Sequence, residues 1–261
     1  MAAPSLVPAP TLTPPRYGLL AAADIISDPQ RWITGITHPS TARPHLAATT
    51  DLDCTPVEDP ADLPDGPEWL TDDAVRVSTG LLCKLPGTTV DEMEAHARAQ
   101  LTAGEGLAVE KQVWAQIMAD TPATPAGSIP VSILAGIGAV EAWLYANYGG
   151  TGVLHVPRAA IPYLVKHDQV SERSGRLVTA LGTAVAAGAY PATGPADAAA
   201  DEGAAWMAVT AAVQVRRSDV NVRSGFDPKT NGVVAIADRY YLAGWEHLAA
   251  TVQLRLEEVT P

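Results

Sequence analysis

Cysteine is scarce in this sequence, which contains only Cys54 and Cys83 among 261 residues. Their separation fits neither a CxxC redox motif nor the ligand spacing of a zinc site. Two reduced thiols and a disulfide between these two residues both stay open. Aromatic residues are also few, at 5% with a single Phe, but hydrophobic residues make up 47% of the chain and predict a folded protein.

Basic residues are outnumbered, because 17 Lys and Arg face 29 Asp and Glu for a net charge of -12. This balance argues against a protein that wraps nucleic acid with a basic surface, but it does not exclude one that encloses nucleic acid without adsorbing it. No uninterrupted apolar run reaches the ~18 residues of a membrane span. The N-terminus lacks a basic stretch and is broken by prolines, so we expect no signal peptide and synthesis in the cytoplasm.

Catalytic and cofactor motifs are missing as well. The sequence has no GxxxxGK[ST], GxSxG or HExxH motif. The stretch GIGAVE matches only half of a dinucleotide fingerprint, because Glu141 stands where close packing needs Gly or Ala. The acidic residues between 51 and 73 do not follow the EF-hand spacing. We therefore predict no cofactor, no metal and no enzyme.

One enzymatic alternative deserves a test. A catalytic site would most plausibly pair His155 or His167 with a nearby carboxylate, Asp168 or Glu172. Such a site would hold these side chains within hydrogen-bond reach in a pocket. The competing interpretation makes His155 and His247 structural hydrogen bonders.

The N-terminal third of the chain is rich in proline. Residues 1–15 carry five prolines and are expected to form an extended arm. Residues 38–75 are irregular, and PVEDPADLPDGPEWLTDD within them has four prolines and seven acidic residues. A structureless stretch of this length in a compact protein is usually functional or mobile, so we expect a projecting loop. A strand over 74–85 follows.

The middle of the chain predicts two helices. Thr89 and Glu92 form a capping box, and an apolar stripe predicts one long helix over 89–119. A second helix is expected to begin at Ser128, with Pro130 in its first turn, and to stop before Gly149-Gly150.

Strands dominate the rest of the sequence. GVLHV predicts a short strand, and a short helix opened by Pro157 follows it. A strand at 176–179 bends at Gly182, and a single strand is expected over 206–217. The C-terminal stretch alternates apolar and polar residues and predicts one or two long strands. The fold class is therefore α+β.

This order of parts resembles the major capsid protein of tailed phages, whose Hong Kong 97-type fold is shared with encapsulins. The segment LGTAVAAGAYP resembles the strand and loop that lead through the family's axial domain. The resemblance covers roughly residues 16–258, and the Ala- and Gly-rich style resembles proteins of phages that infect actinobacteria.

The resemblance implies a division of the chain into five parts. These are an N-terminal arm (1–37), an extended projecting loop (38–85), a peripheral domain with a spine helix (86–128), an axial domain (129–217) and return strands of the peripheral domain (218–261).

It also implies a function. The chain would assemble into pentamers and hexamers of an icosahedral phage head and, within the virion, enclose double-stranded DNA without sequence-specific binding. Its expected partners are a separate scaffolding protein, a portal and, in some heads, a decoration protein. An encapsulin-like shell and another head or tail part remain the alternatives. Since residues 38–75 contain no lysine, we expect no lysine–asparagine crosslinks between subunits.

Candidate subunit contacts follow from the same resemblance. Trp69 would anchor in a groove of a neighbouring subunit or, equally, in its own core, since buried aromatic residues dominate interface energetics. Arg216, Arg217 and Asp219 are candidates for an ion pair between subunits. Arg16 and Tyr17 are candidates for anchoring the arm.

Overall fold

The computed structural model describes residues 12–13, 15–27, 32–41, 66–84, 89–120, 122–191 and 193–256. The α-helices in these ranges are α1 (Leu19–Ala22), α2 (Val90–Ala119), α3 (Ile133–Asn147) and α4 (Ile161–Lys166). The strands are β1 (Asp24–Ser27), β2 (Ile36–Pro39), β3 (Trp69–Asp72), β4 (Val75–Cys83), β5 (Val153–Pro157), β6 (Val170–Arg173), β7 (Arg176–Thr179), β8 (Ala184–Gly188), β9 (Ala204–Thr210), β10 (Gln214–Arg217), β11 (Asn221–Asp227), β12 (Gly232–Gly244) and β13 (Ala249–Arg255).

Most of these strands form two sheets. In the first, which we call the spine sheet, β12 pairs with β4, β10 and β11, and β1 adds to β10 in parallel. The second, the axial sheet, has the order β13-β9-β5-β8-β7-β6. Strands β2 and β3 pair antiparallel with each other and form a separate ribbon.

The long helix α2, which the sequence predicts, packs across the spine sheet. The Thr89 hydroxyl accepts a hydrogen bond from the Glu92 amide, and the Thr89 amide donates to the Glu92 carboxylate, so the capping box is present. Early in the helix, Met93 and Leu101 pack on Ala235 and Ala237 of β12. Further along, Val113, Trp114 and Ile117 enter a core shared with the axial sheet.

The axial sheet buries its other face against α3. Ile137, Val140 and Leu144 of α3 pack on Val252 and Leu254 of β13 and on the neighbouring strands. A Cβ on Gly136 would lie 2.2 Å from the Leu254 side chain, so a larger residue there would force that side chain to move.

Helix α3 begins later than the sequence indicated. Its N-cap is Ser132, not Ser128, and its first residue is Ile133. The reason lies in the edge of the axial sheet, since the Val131 amide donates to Gln253 and the Val131 carbonyl accepts from Arg255. These bonds hold the chain before Ser132 in an extended conformation.

The single strand predicted over 206–217 is two strands in different sheets. Strand β9 ends at Thr210 in the axial sheet, and β10 begins at Gln214 in the spine sheet. Between them the Ala211 amide donates to the Leu248 carbonyl, which lies in the connection from β12 to β13. Both passages between the sheets therefore run side by side.

Candidate assembly surfaces

The ribbon of β2 and β3 lies in the region predicted to be irregular. The described ends of this region, residues 36–39 and 69–72, are paired strands, with Ile36 opposite Asp72 and Pro39 opposite Trp69. Strand β3 alternates, so Leu70 and Asp72 are buried while Trp69 is 63% exposed. The Trp69 ring is thus presented on the surface rather than in the core of its own chain.

Glu246 fixes the far end of this ribbon. Its carboxylate accepts hydrogen bonds from the Ser40 hydroxyl at 2.6 Å and from the hydroxyl and the amide of Thr41 at 2.7 and 3.0 Å. Burial alone would raise the pKa of Glu246, but these bonds and the nearby His38 hold it below its ordinary value. No sequence motif signals this contact, because Glu246 lies some two hundred positions away from its partners.

Arg16 and Tyr17 attach the N-terminal segment to the axial sheet. The Ala187 amide of β8 donates to the Tyr17 carbonyl at 2.6 Å, and the Tyr17 hydroxyl donates to Glu172 at 2.6 Å. The guanidinium of Arg158 donates to the carbonyls of Arg16 and Ala187. These contacts are made within one chain.

Glu110 of α2 continues this attachment inside the protein. Its two carboxylate oxygens accept from the amides of Leu19, at 3.1 Å, and Ala189, at 2.8 Å. Burial raises the pKa of Glu110, although both amide hydrogen bonds oppose the shift. The carboxylate thereby joins the spine helix, α1 and the end of β8, and Leu19 becomes fully buried within the segment assigned to the arm.

Arg216, Arg217 and Asp219 lie at the end of β10 but do not come together as one cluster. Arg216 is opposite Leu242 and Arg217 is opposite Tyr241, so the two arginines project from opposite faces of the spine sheet. Both are half-buried, whereas Asp219 is exposed. Arg216 donates a hydrogen bond to Gln214 at 3.2 Å.

A charged cluster that sequence reasoning missed lies nearby, on the face of the spine sheet away from α2. Asp238 of β12 is only 2% exposed and accepts hydrogen bonds from Arg76 of β4, Arg223 of β11 and Asn221. Burial alone would raise the pKa of Asp238, but the arginine and asparagine hydrogen bonds and the charge of Arg76 hold it below its ordinary value. Only strand pairing brings these residues together, so no spacing in the sequence reveals them.

His155 lies fully buried in the middle of the axial sheet. Its two ring nitrogens are 3.1 Å from the Tyr190 hydroxyl and 3.0 Å from the Thr210 hydroxyl. Burial lowers the pKa of His155 to about 3, so the ring is neutral at physiological pH. The structural interpretation of this residue is confirmed, because both nitrogens are engaged by hydroxyl groups and neither by a carboxylate.

Comparisons with known proteins show which solved structures share this architecture. No family model matches the sequence, and no curated protein matches it. Among solved structures, the chain is similar to the holo-SrpI encapsulin complex of Synechococcus elongatus, with a TM-score of 0.55, 12% identity and coverage of 99% of this chain and 95% of the other. It is also similar to a structure of Microbacterium phage Oxtober96 (TM-score 0.54, 10% identity, coverage 97% and 95%). A third match is the capsid of an empty GTA particle (TM-score 0.52, 11% identity, coverage 95% and 100%).

The chain has the Hong Kong 97-type fold. The matches to encapsulin and phage structures extend over nearly the whole of each chain, so the Hong Kong 97-type fold is present as a unit rather than as an isolated motif. The resemblance and the α+β class inferred from the sequence are confirmed.

A cavity in the described part of this Hong Kong 97-type fold does not contain the residues of the enzymatic alternative. It has a volume of about 670 Å³ and lies between α3 and the turn from β7 to β8, with Tyr145 and Leu181 at its rim. The carboxylate of Glu141 is engaged there by the Thr179 and Thr183 hydroxyls. Neither His155 nor His167 lines the cavity.

Three further expectations concern the cysteines, metal binding and membrane spans. Cys83 is the last residue of β4, but Cys54 lies outside the described residues, so two reduced thiols and a disulfide both stay open. In the described ranges, no group of three or more His, Cys, Asp or Glu side chains could hold a metal ion. Within the same ranges, no helix is both long and apolar enough to cross a membrane.

Proposed function

We propose that this protein is the major capsid protein of a tailed phage, which assembles into pentamers and hexamers of an icosahedral head around double-stranded DNA. The observation that carries this proposal is the match to shell and phage structures over at least 95% of both chains. A subunit that tiles a shell uses heterologous contacts, which close when rotation repeats them. The net charge of -12 suits the inner wall of a container for DNA.

The five-part division of the chain belongs to the same proposal. Residues 1–37 would serve as the arm, 38–85 as the projecting loop, 86–128 as the spine region, 129–217 as the axial domain and 218–261 as the return strands. Helix α2 packed on β12 supports the spine region and the return strands, and α3 packed near β5 to β9 supports the axial domain. Two strands depart from these bounds, because β10 pairs in the spine sheet and β13 pairs in the axial sheet.

Trp69 is the contact we propose first. Its 63% exposure on a two-stranded ribbon supports a role as an anchor in a neighbouring subunit, because an aromatic ring that leaves water on assembly contributes strongly to binding. Arg216, Arg217 and the exposed Asp219 are proposed contacts at the end of the spine sheet. Arg16 and Tyr17 would position the arm that precedes them.

An encapsulin-like shell is the second candidate. The match to the encapsulin complex, at a TM-score of 0.55, favours it as strongly as the phage matches favour a head. The two candidates differ in content, because a phage head takes up DNA with the help of a portal and a scaffolding protein whereas an encapsulin encloses a protein cargo.

The first experiment is electron microscopy with light scattering on the purified chain, alone and co-expressed with a scaffolding protein encoded beside it. We expect closed shells or rings of five or six subunits. A chain that stays a folded monomer or dimer under both conditions would overturn the shell proposal. Shells that purify with a protein cargo and exclude nucleic acid would favour the encapsulin alternative.

Substitution of Trp69 tests the contact itself. Trp69→Ala should shift the chain from shells to smaller species at equal concentration, and Trp69→Phe should retain part of the assembly because it keeps an aromatic ring. Circular dichroism should show an unchanged fold for both variants, since the side chain is exposed. Full assembly of Trp69→Ala would exclude Trp69 as an anchor.

A further inference from the structure

A single buried carboxylate joins the ribbon to the connection between the two sheets. Asp72, at the end of β3, is 5% exposed. Its Oδ2 atom is 3.2 Å from Nε2 of His38, in the partner strand β2, and its Oδ1 atom is 3.0 Å from Nε2 of His247. His247 lies between β12 and β13, so Asp72 links the base of the ribbon to the passage from the spine sheet to the axial sheet.

Two glycines, Gly35 and Gly244, lie in close contact with Asp72. A Cβ on Gly244 would lie 2.7 Å from the Asp72 carboxylate, and a Cβ on Gly35 would lie 2.9 Å from the Asp72 carbonyl oxygen. His247 has a φ of 50°, in the left-handed region that few residues other than glycine adopt. A residue keeps such a backbone conformation only where surrounding contacts hold it in place. For His247, the hydrogen bond to Asp72 is one of these contacts.

In the described part of the chain, carboxylates lie close to both imidazoles. Among the described residues these are Asp72 on β3, Asp120 at the end of α2 and Glu246 beside His247. Asp120 comes within 3.8 Å of His247 Nδ1, and the charge of His38 contributes to lowering the pKa of Glu246. Protonated imidazoles therefore gain attraction from these carboxylates, and neutral imidazoles lose it.

We propose that His38, Asp72 and His247 form a proton-operated latch between the ribbon and the connection of the two sheets. When the imidazoles carry protons, charge-assisted hydrogen bonds hold the ribbon base against residues 245–248. When they are neutral, the hydrogen bonds weaken and the base of the ribbon opens more often. Histidine is suited to this role because its charge changes between about pH 5 and 8.

Hydrogen exchange of the full-length chain tests the latch. Exchange is followed by mass spectrometry at about pH 6 and about pH 8, with rates corrected for the intrinsic effect of pH. Peptides that cover β2 and β3 should be about three- to tenfold better protected at the lower pH, as expected for partly buried charge-assisted bonds. Peptides from the middle of α2 provide the internal reference.

Two variants separate the latch from a general effect of pH. His247→Asn removes the titrating ring but tolerates the left-handed backbone, and His38→Gln removes the other ring without altering residues 245–248. Each should reduce the pH effect on the ribbon peptides, and the double variant should abolish it. His96→Gln is the matched control, because His96 is exposed on α2.

The outcome is independent of whether the chain forms shells, because the latch lies within one chain. Equal corrected protection of the wild-type ribbon at both pH values would overturn the proposal. An undiminished pH effect in the double variant would overturn it as well. A pH effect in the ribbon of a chain that never assembles would support the latch and still count against the proposed function.

Discussion

Acidification should destabilise the folded chain through His155. The ring is fully buried, and burial lowers its pKa from 6.5 to about 3. The unfolded chain leaves the same ring in water, so it takes up a proton at a higher pH than the folded chain does. Because the unfolded state then binds more protons, the free energy of unfolding falls as the pH falls below the unfolded value.

The size of this effect follows from the position of the unfolded pKa. A pH of about 5 is roughly 1.5 units below the pKa of His155 in the unfolded chain. Each pH unit in this range corresponds to about 1.36 kcal/mol in the free energy of unfolding. His155 alone should therefore lower the free energy of unfolding by about 2 kcal/mol between pH 8 and pH 5. The folded ring is still neutral at that pH, so this value does not depend on how far below 5 its own pKa lies.

The assay is urea unfolding of the unassembled chain at a fixed concentration, because assembly adds a concentration-dependent stabilisation. His155→Gln keeps a polar group for one of the two hydroxyl partners but cannot titrate. Although it lowers the stability at every pH, it should lose about 2 kcal/mol less than the wild type between pH 8 and pH 5. The exposed His96→Gln should follow the wild type. Equal losses in the wild type and His155→Gln would refute the reasoning.

Three further predictions concern the buried carboxylates and covalent bonds between chains. Asp238→Ala should lower the free energy of unfolding by about 2 kcal/mol, because it removes charged hydrogen bonds while the partly exposed arginines regain water. This loss should shrink in acid as Asp238 of the wild type takes up its proton, and a constant loss would contradict the ion pair. Glu110→Ala should cost about 2–3 kcal/mol in urea unfolding, since two buried amides lose their acceptor, and a cost below ~0.5 kcal/mol would argue against this contact. Denatured assemblies should run as single chains in mass spectrometry, whereas a ladder of covalent multimers would show crosslinks despite the absence of lysine from residues 38–75.

The sequence correctly predicted those helices and strands that are determined by residues close together in the chain. The long helix follows from the capping box at Thr89 and from a stripe of apolar residues, both of which lie within a few turns of each other. Strand β4 occupies 75–83 within the predicted 74–85, and the alternating C-terminal stretch is two strands as one alternative allowed.

Elements defined by distant partners escaped prediction. The break between Thr210 and Gln214 is invisible in the sequence, because both flanking segments have strand-like composition and only their pairing with β13 and β12 separates them. The ribbon was missed because prolines and acidic residues hide a four-residue strand on each side. Asp72 falls within the stretch expected to be a projecting loop, and in the structure its carboxylate is buried beside His247, which is far away in the sequence.

The buried carboxylates of the described chain show how its polar chemistry is used. Four acidic residues are buried there, and each accepts hydrogen bonds that join two parts of the fold. Glu110 joins the spine helix to α1 and β8, Asp238 joins three strands, and Glu246 and Asp72 attach the ribbon to the connection between the sheets. A general base needs a carboxylate or imidazole that can exchange a proton with a bound substrate, and these four are already engaged by groups of the chain itself. Each of the four therefore fastens segments of the described fold that lie far apart in the sequence.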